Sequence, residues 1–233
     1  QPVVAGPEYL AMYPDQPEGK KHLYGAITAM DEQIGRLRKL LKDLGKEENT
    51  IIFFCSDNGP DDGLFRKGVA SAGKLRGHKH QMYEGGIHVP SLMVWKGKLK
   101  EGSVCPERVG TVDYLPTILD LLDLPAINDR PIDGVSMVPV LAGKPASKRT
   151  YPLAAGFMRL YDDLETYSLI EGDYKICIPV KRGKLEMYNL KKDPYETTDI
   201  STKEPEIFND LKEKLEAVKK SWLHSRDGGD YEW

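Results

Sequence analysis

In the first part of the chain, apolar residues recur at alternating steps of three and four. Leu23, Ile27, Met30, Ile34, Leu37, Leu41 and Leu44 make one stripe, which predicts a helix from Lys20 to Leu44. Gly45 suits the left-handed residue that ends a helix, and Lys39 and Lys42 suit its negative end. After a turn at Glu47-Glu48-Asn49 the period changes. Residues 50–55 carry the apolar run Ile51-Ile52-Phe53-Phe54, which predicts a short buried strand. Helix, short turn and buried strand in that order are α/β construction. Residues 1–19, rich in Pro, Gly and acidic side chains, read as an irregular lead-in.

Residues 60–80 are glycine-rich and lack apolar periodicity, so they read as a long loop, a feature usually functional or disordered. Val89 to Trp95 predicts a second strand, with Pro90 near its start where a missing N–H is tolerable. Val112, Leu115, Ile118, Leu119 and Leu122 predict an amphipathic helix over Thr111 to Leu122, with Pro125 beyond it as a stop. Residues 125–150 are turn-rich, and Asp133-Gly134-Val135-Ser136 reads as a tight turn. From about Tyr151 the pattern becomes strands: Tyr167–Glu171, Tyr174–Val180 and Lys184–Leu190, separated by the hairpin signals Gly172-Asp173 and Lys181-Arg182-Gly183. A terminal helix over Glu204 to Trp222 places Ile207, Leu211, Leu215, Val218 and Trp222 on one face. Residues 224–233, with His224, are expected to fray, and Trp95 and Trp222 to lie in the core. Two units follow, 1–150 and 151–233.

Composition narrows the function classes. The 233 residues are 40% hydrophobic and 30% charged, as in soluble globular proteins. A net charge of −3 gives no case for nucleic-acid binding, and no apolar stretch approaches the roughly 20 residues of a membrane span. Cys55, Cys105 and Cys177, odd in number and widely spaced, make no disulfide framework. The chain starts at Gln1 without an initiator Met, so it is expected to begin inside a longer one, and no signal sequence is visible.

Two stretches could carry chemistry. The strand at 50–55 runs into Ser56-Asp57-Asn58-Gly59-Pro60. A carboxylate and an amide carbonyl are hard ligands suited to Ca²⁺ or Mg²⁺, and Gly59 and Pro60 let the chain leave strand geometry so that both can serve one site. The same residues are also ordinary turn chemistry. Downstream, Lys74, Arg76, His78, Lys79 and His80 crowd into seven residues, cation density enough to attract an anion or to make a solvated basic loop. A neutral His there could donate a proton to a leaving group.

The Ser56-Asp57-Asn58-Gly59 turn, followed by Gly77-His78-Lys79-His80-Gln81-Met82-Tyr83-Glu84-Gly85-Gly86-Ile87-His88-Val89-Pro90, resembles the formylglycine-dependent sulfatases of the alkaline-phosphatase-like superfamily. The resemblance runs from about Tyr24 to Ser201 and includes Asp133 to Ser136, Leu141 to Lys144, and Glu186 to Glu196. The family's nucleophile motif, Cys/Ser-x-Pro-x-Arg, is not found upstream of the turn, so the chain looks like the C-terminal part of a sulfatase. The implied fold is α/β: the C-terminal share of an alkaline-phosphatase-like mixed sheet flanked by helices, plus a small C-terminal antiparallel sheet with a packed helix. The resemblance implies that Asp57 and Asn58 are two ligands of a Ca²⁺ site completed elsewhere, and that Lys79 is the sulfate-binding cation near the leaving oxygen. Lys74 and Arg76 are further substrate-binding candidates, and His78 and His80 further catalytic ones.

Glu84 reads as a structural acceptor, and His88 stands where most relatives carry Arg. Cys177-Ile178-Pro179-Val180-Lys181 mimics the nucleophile motif, but it lies in a β-rich hairpin region after the metal turn, not before it. Asp31 and Asp113 resemble structural positions, and His22 reads as structural. The implied activity is hydrolysis of sulfate esters on carbohydrates or aryl groups by a formylglycine supplied upstream. A phosphonate or phosphodiester hydrolase of the same superfamily and a non-catalytic fragment are the alternatives. Implied partners are a sulfated substrate and the missing N-terminal part, in a periplasmic, secreted or lysosomal setting.

Overall fold

The computed structural model describes residues 3–126, 129–157, 166–181 and 183–230. A single turn, α1 (Pro7–Leu10), folds back on the long helix α2 (Glu18–Asp43). Gly25 permits the approach: a Cβ there would meet Ala5 Cβ at 2.8 Å and Tyr9 Cβ at 3.1 Å. The Tyr9 hydroxyl donates to Glu32, and Ala5 N donates to His22 Nδ1, so His22 is structural as expected. Gly45, at φ 63°, ends the helix in the left-handed region. The apolar stripe is not buried, however. Ile27 is 50% exposed, and Met30, Leu37 and Leu44 are likewise exposed.

A 3₁₀ turn (Glu47–Asn49) leads into β1 (Ile51–Cys55). The long loop that follows is not wholly irregular. It holds α3 (Asp62–Arg66), which sequence periodicity missed because one turn shows no period; Asp61 caps it by accepting from Gly63 N and Leu64 N. It ends in a second single turn, α4 (Glu84–Ile87), which runs into β2 (Ser91–Trp95). β2 pairs antiparallel with β1, in register from Ile51↔Trp95 to Cys55↔Ser91. Beyond it lie α5 (Tyr114–Leu121), entered through a 3₁₀ turn at Thr111–Asp113, and α6 (Val138–Leu141). Asp113 is fully buried and accepts from Gly110 N, Val135 N and the Arg149 guanidinium, a purely structural role. Asp133 to Ser136 is not the expected tight turn. It is irregular chain pressed so close to the 3₁₀ turn that a Cβ on Gly134 would lie 2.0 Å from Val112 O.

Four strands form a second antiparallel sheet in the order β3 (Leu153–Phe157), β4 (Thr166–Glu171), β5 (Tyr174–Ile178), β6 (Glu186–Asn189). β3, rich in Ala and Gly, was not separately predicted. Gly172, at φ 56°, makes the β4–β5 hairpin. Period-two alternation gives this sheet two faces. Tyr167, Leu169, Ile176 and Met187 pack on Leu211 and Leu215 of the last helix, α7 (Pro205–Arg226). Cys177 and Tyr188 face the other way, against Met82 and Tyr83 of the long loop. α7 outlasts its predicted end and takes in His224, which is therefore not in a frayed tail. Trp95 and Trp222 are half-buried; Arg182 and Trp233 lie outside the described residues. Among the described residues no helix is long and apolar enough to cross a membrane.

Candidate active site

β1 ends at Cys55, and the next five residues leave strand geometry, as the adjacent oxygen ligands require. The turn is self-bonded: Asp57 Oδ1 accepts Asn58 N at 3.0 Å, Ser56 Oγ donates to Asn58 O at 2.8 Å, and Asn58 Nδ2 donates to Gly59 O at 2.9 Å. The Asn58 side chain thus spends its nitrogen on the turn, not the oxygen that a hard cation would take. Asp57 is exposed and Asn58 half-buried.

Three backbone bonds zip this turn to the lysine loop. Ser56 N donates to Pro90 O at 3.1 Å, Gly59 N to Gly86 O at 2.9 Å, and Lys79 N to Pro60 O at 2.9 Å. The packing demands glycine. A Cβ on Gly59 would lie 1.9 Å from Gly85 O, and one on Gly86 would lie 2.1 Å from Gln81 O. The two segments singled out from the sequence are therefore one structure, with Lys79 beside the Asp57-Asn58 turn.

The five cations of the loop have different fates. Lys79 is half-buried, and among the described residues no carboxylate pairs with its ammonium or with that of exposed Lys74. His78 is anchored through both ring nitrogens: Nε2 is 3.2 Å from Asp62 Oδ1 and Nδ1 is 3.0 Å from Lys79 O. Asp62 also accepts Arg66 Nε at 2.6 Å, and the Arg66 bond chiefly holds its carboxyl below the usual range. His80 is exposed, sits at φ 72°, and rests its ring 4.8 Å from that of Phe157. Arg76, still exposed, also holds the loop. It donates to Tyr188 Oη at 3.1 Å and Glu196 O at 2.8 Å, with its guanidinium 3.9 Å from the Tyr83 ring centroid.

Beneath the loop, Glu84 is an acceptor, as read from the sequence. Lys175 Nζ lies 2.8 Å from its Oε1, and His88 Nδ1 lies 3.1 Å from its Oε2. Burial works to raise the Glu84 carboxyl, but His88 and Lys175 outweigh it and hold it down at about 2. The bond to Glu84 in turn raises His88. His88 thus helps to anchor Glu84. Lys175, Glu196, Asp62 and Tyr188 were missed in the sequence as site-supporting residues. The available cue for Lys175 was alternation: it shares a strand face with Cys177, opposite Tyr174 and Ile176.

Cys177 is fully buried in β5, and burial pushes its thiol up to about 12. It has neither the helix start nor the exposure of an activated cysteine.

Comparison with known proteins gives the family. The sulfatase family model matches residues 7–124, and the model for the N-sulphoglucosamine sulphohydrolase C-terminal region matches residues 77–221. The chain belongs to the sulfatase family. It is 30% identical to an arylsulfatase of Clostridium perfringens over 215 residues, 90% of this chain and 40% of that protein. It is 28% identical to an N-acetylgalactosamine-6-O-sulfatase of Bacteroides thetaiotaomicron, over 83% of this chain and 41% of the relative. The crystal structure of Ps i-CgsB superposes with a TM-score of 0.82 at 24% identity, covering 94% of this chain and 47% of that one. The chain thus spans about two fifths of the length of these two curated relatives.

The family implies a metal and a formylglycine. Asp57 and Asn58 fit a hard cation in kind, but among the described residues no group of three His, Cys, Asp or Glu side chains converges on one point. Two oxygen donors fall short of the 6–8 that Ca²⁺ takes.

Proposed function

We propose that this chain supplies the anion-binding lysine and part of the metal site of a sulfatase that hydrolyses sulfate esters, with sulfated carbohydrates as the main substrate class. The observation that carries this reading is Lys79: half-buried, unpaired among the described residues, and bonded through its own amide to Pro60 beside the Asp57-Asn58 turn. Carbohydrate as the substrate class is supported by the N-acetylgalactosamine-6-O-sulfatase relative.

Hydrolysis at sulfur needs a nucleophile, positive charge against the sulfuryl oxygens, and protonation of the leaving oxygen. When bound, Ca²⁺ and formylglycine would supply positive charge and the nucleophile, the first with Asp57 and Asn58 among its ligands and the second from outside this chain. The Lys79 ammonium holds the sulfate beside the leaving oxygen, where fixed charge lowers the barrier most. His80, exposed at the same loop, is the remaining proton donor candidate, since both His78 nitrogens are engaged. Exposed Lys74 and Arg76, the second of which also holds the loop, are the further cations available to the substrate.

In this reading residues 1–150 are the C-terminal part of the catalytic α/β domain, and residues 151–233 are a small sheet-and-helix subdomain. The partner is the rest of the same protein, working in the periplasmic, secreted or lysosomal setting usual for the family. The isolated chain should bind Ca²⁺ weakly; tight calorimetric binding lost in Asp57→Ala would contradict that.

The test is a substrate panel on the intact protein that contains this chain: 4-nitrophenyl sulfate, N-acetylgalactosamine 6-sulfate and a phosphonate monoester. Sulfate release from the first two is expected. Turnover of the phosphonate alone would move the reaction to phosphoryl chemistry, and no turnover of any would leave a binding fragment.

A further inference from the structure

The small sheet meets the lysine loop through a buried ion cluster that hydrolysis itself does not use. Lys175 on β5 is wholly buried, with Nζ 2.8 Å from Glu84 Oε1 and 2.8 Å from Glu196 Oε1. Glu196 is equally buried, and its Oε2 accepts Glu84 N at 2.6 Å. Its backbone lies at φ 55°, a region that non-glycine residues seldom adopt, so the surrounding structure holds it there. Taking three charged groups out of water is costly, and apolar residues of similar volume commonly do as well for stability alone. The cluster is therefore better explained by what it fixes in place.

What it fixes is the brace under Lys79. Glu84 opens α4, and the next two residues carry the contacts to the site. Gly85 N donates to Arg76 O at 2.6 Å, and Gly86 O accepts Gly59 N at 2.9 Å. Gly86 also lies so close to the loop that a Cβ there would come within 2.7 Å of His78 O. Arg76 returns to the same cluster by donating to Glu196 O. From Lys175 to Lys79 the connection is thus a run of hydrogen bonds and backbone in hard contact.

We propose that Lys175, with Glu196, is a positioning residue of the active site: by fixing Glu84 it sets where the Gly85-Gly86 brace holds the loop and hence where the Lys79 ammonium stands. On this view the C-terminal sheet is part of the catalytic apparatus, acting across 96 residues of sequence. The proposal rests on the sulfatase reading of Lys79.

A double-mutant cycle in the intact protein tests it, with 4-nitrophenyl sulfate as substrate and Lys79→Ala, Lys175→Met and the double variant beside wild type. Lys175→Met should lower kcat/KM about ten- to hundredfold in the wild-type background, the scale of a displacement near 1 Å. In the Lys79→Ala background the same change should cost less than about twofold, because nothing is left to misplace. Hydrogen exchange on the same proteins should quicken at the Lys79, Gly59 and Gly85 amides and stay unchanged in α7. An equal factor in both backgrounds, or exchange that rises uniformly, would overturn the proposal. If Lys79→Ala is as active as wild type, the lysine reading fails instead, and the exchange pattern alone decides the positioning role. If Lys175→Met does not fold, Glu196→Gln, which keeps the side chain's shape, takes its place under the same criteria.

Discussion

Glu84 and Cys177 show how environment decides what a residue does. The Glu84 carboxyl is held at about 2, below its ordinary 4.5, so its contribution to stability is present above pH 4.5 and is lost as pH falls through about 2. His88 is raised above 6.5, so its contribution is present below that and is lost as pH rises through its folded value. The difference in denaturation midpoint between wild type and Glu84→Gln should therefore be largest near pH 5–6 and shrink toward pH 2. A difference that grows on acidification would contradict the assignment. Burial chiefly raises the Glu196 carboxyl and the Glu84 charge adds to that rise, so Glu84→Gln relieves Glu196 as well and narrows the difference as pH rises. Cys177, pushed up to about 12, should resist iodoacetamide at pH 8 while exposed Cys105 reacts, read by peptide mass. Rapid labelling of Cys177 in the folded protein would reopen it as a nucleophile.

Glycines separate elements that tolerate change from those that do not. Gly59→Ala would drive a Cβ to 1.9 Å from Gly85 O and must part the turn from the loop, so a loss of about 2 kcal/mol or more is expected. Gly35→Ala, in mid-α2 with nothing within 4 Å, should stabilise by about 0.5–1 kcal/mol. Urea midpoints check both signs, and equal effects would contradict the hard-contact brace. Period and punctuation were enough to foresee α2, β1, β4, β5 and α7, and the family resemblance singled out the Asp57-Asn58 turn and the Lys79 loop, whose backbones the Lys79 N to Pro60 O bond brings side by side. The single turns α3 and α4 were not legible, because one turn shows no period. Nor was the cluster of Lys175 with Glu84 and Glu196, which depends on long-range pairing that local pattern does not encode.

At the scale of the whole molecule the surface is too large. The chain exposes 15507 Å² at 26.2 kDa, where a compact monomer of that mass exposes roughly 10,600 Å². The excess is apolar in the right places: the α2 stripe, Leu92 of β2 at 65% exposure, and Leu122 beside α5 at 62%. These surfaces and the two-stranded sheet fit a domain whose remaining part would cover them. The isolated chain is expected to self-associate and to bind a hydrophobic dye, measured by sedimentation and fluorescence. A monodisperse monomer that melts cooperatively without dye binding would argue against this.

The claim that Lys79 and the Asp57-Asn58 turn form one anion and metal site is tested most directly by kcat/KM of the intact protein on 4-nitrophenyl sulfate, comparing wild type with Lys79→Ala. Loss of one preorganised charge on the reacting group should cost about 10²–10³-fold, with the melting temperature unchanged. An unchanged kcat/KM in a properly folded Lys79→Ala protein would contradict the site.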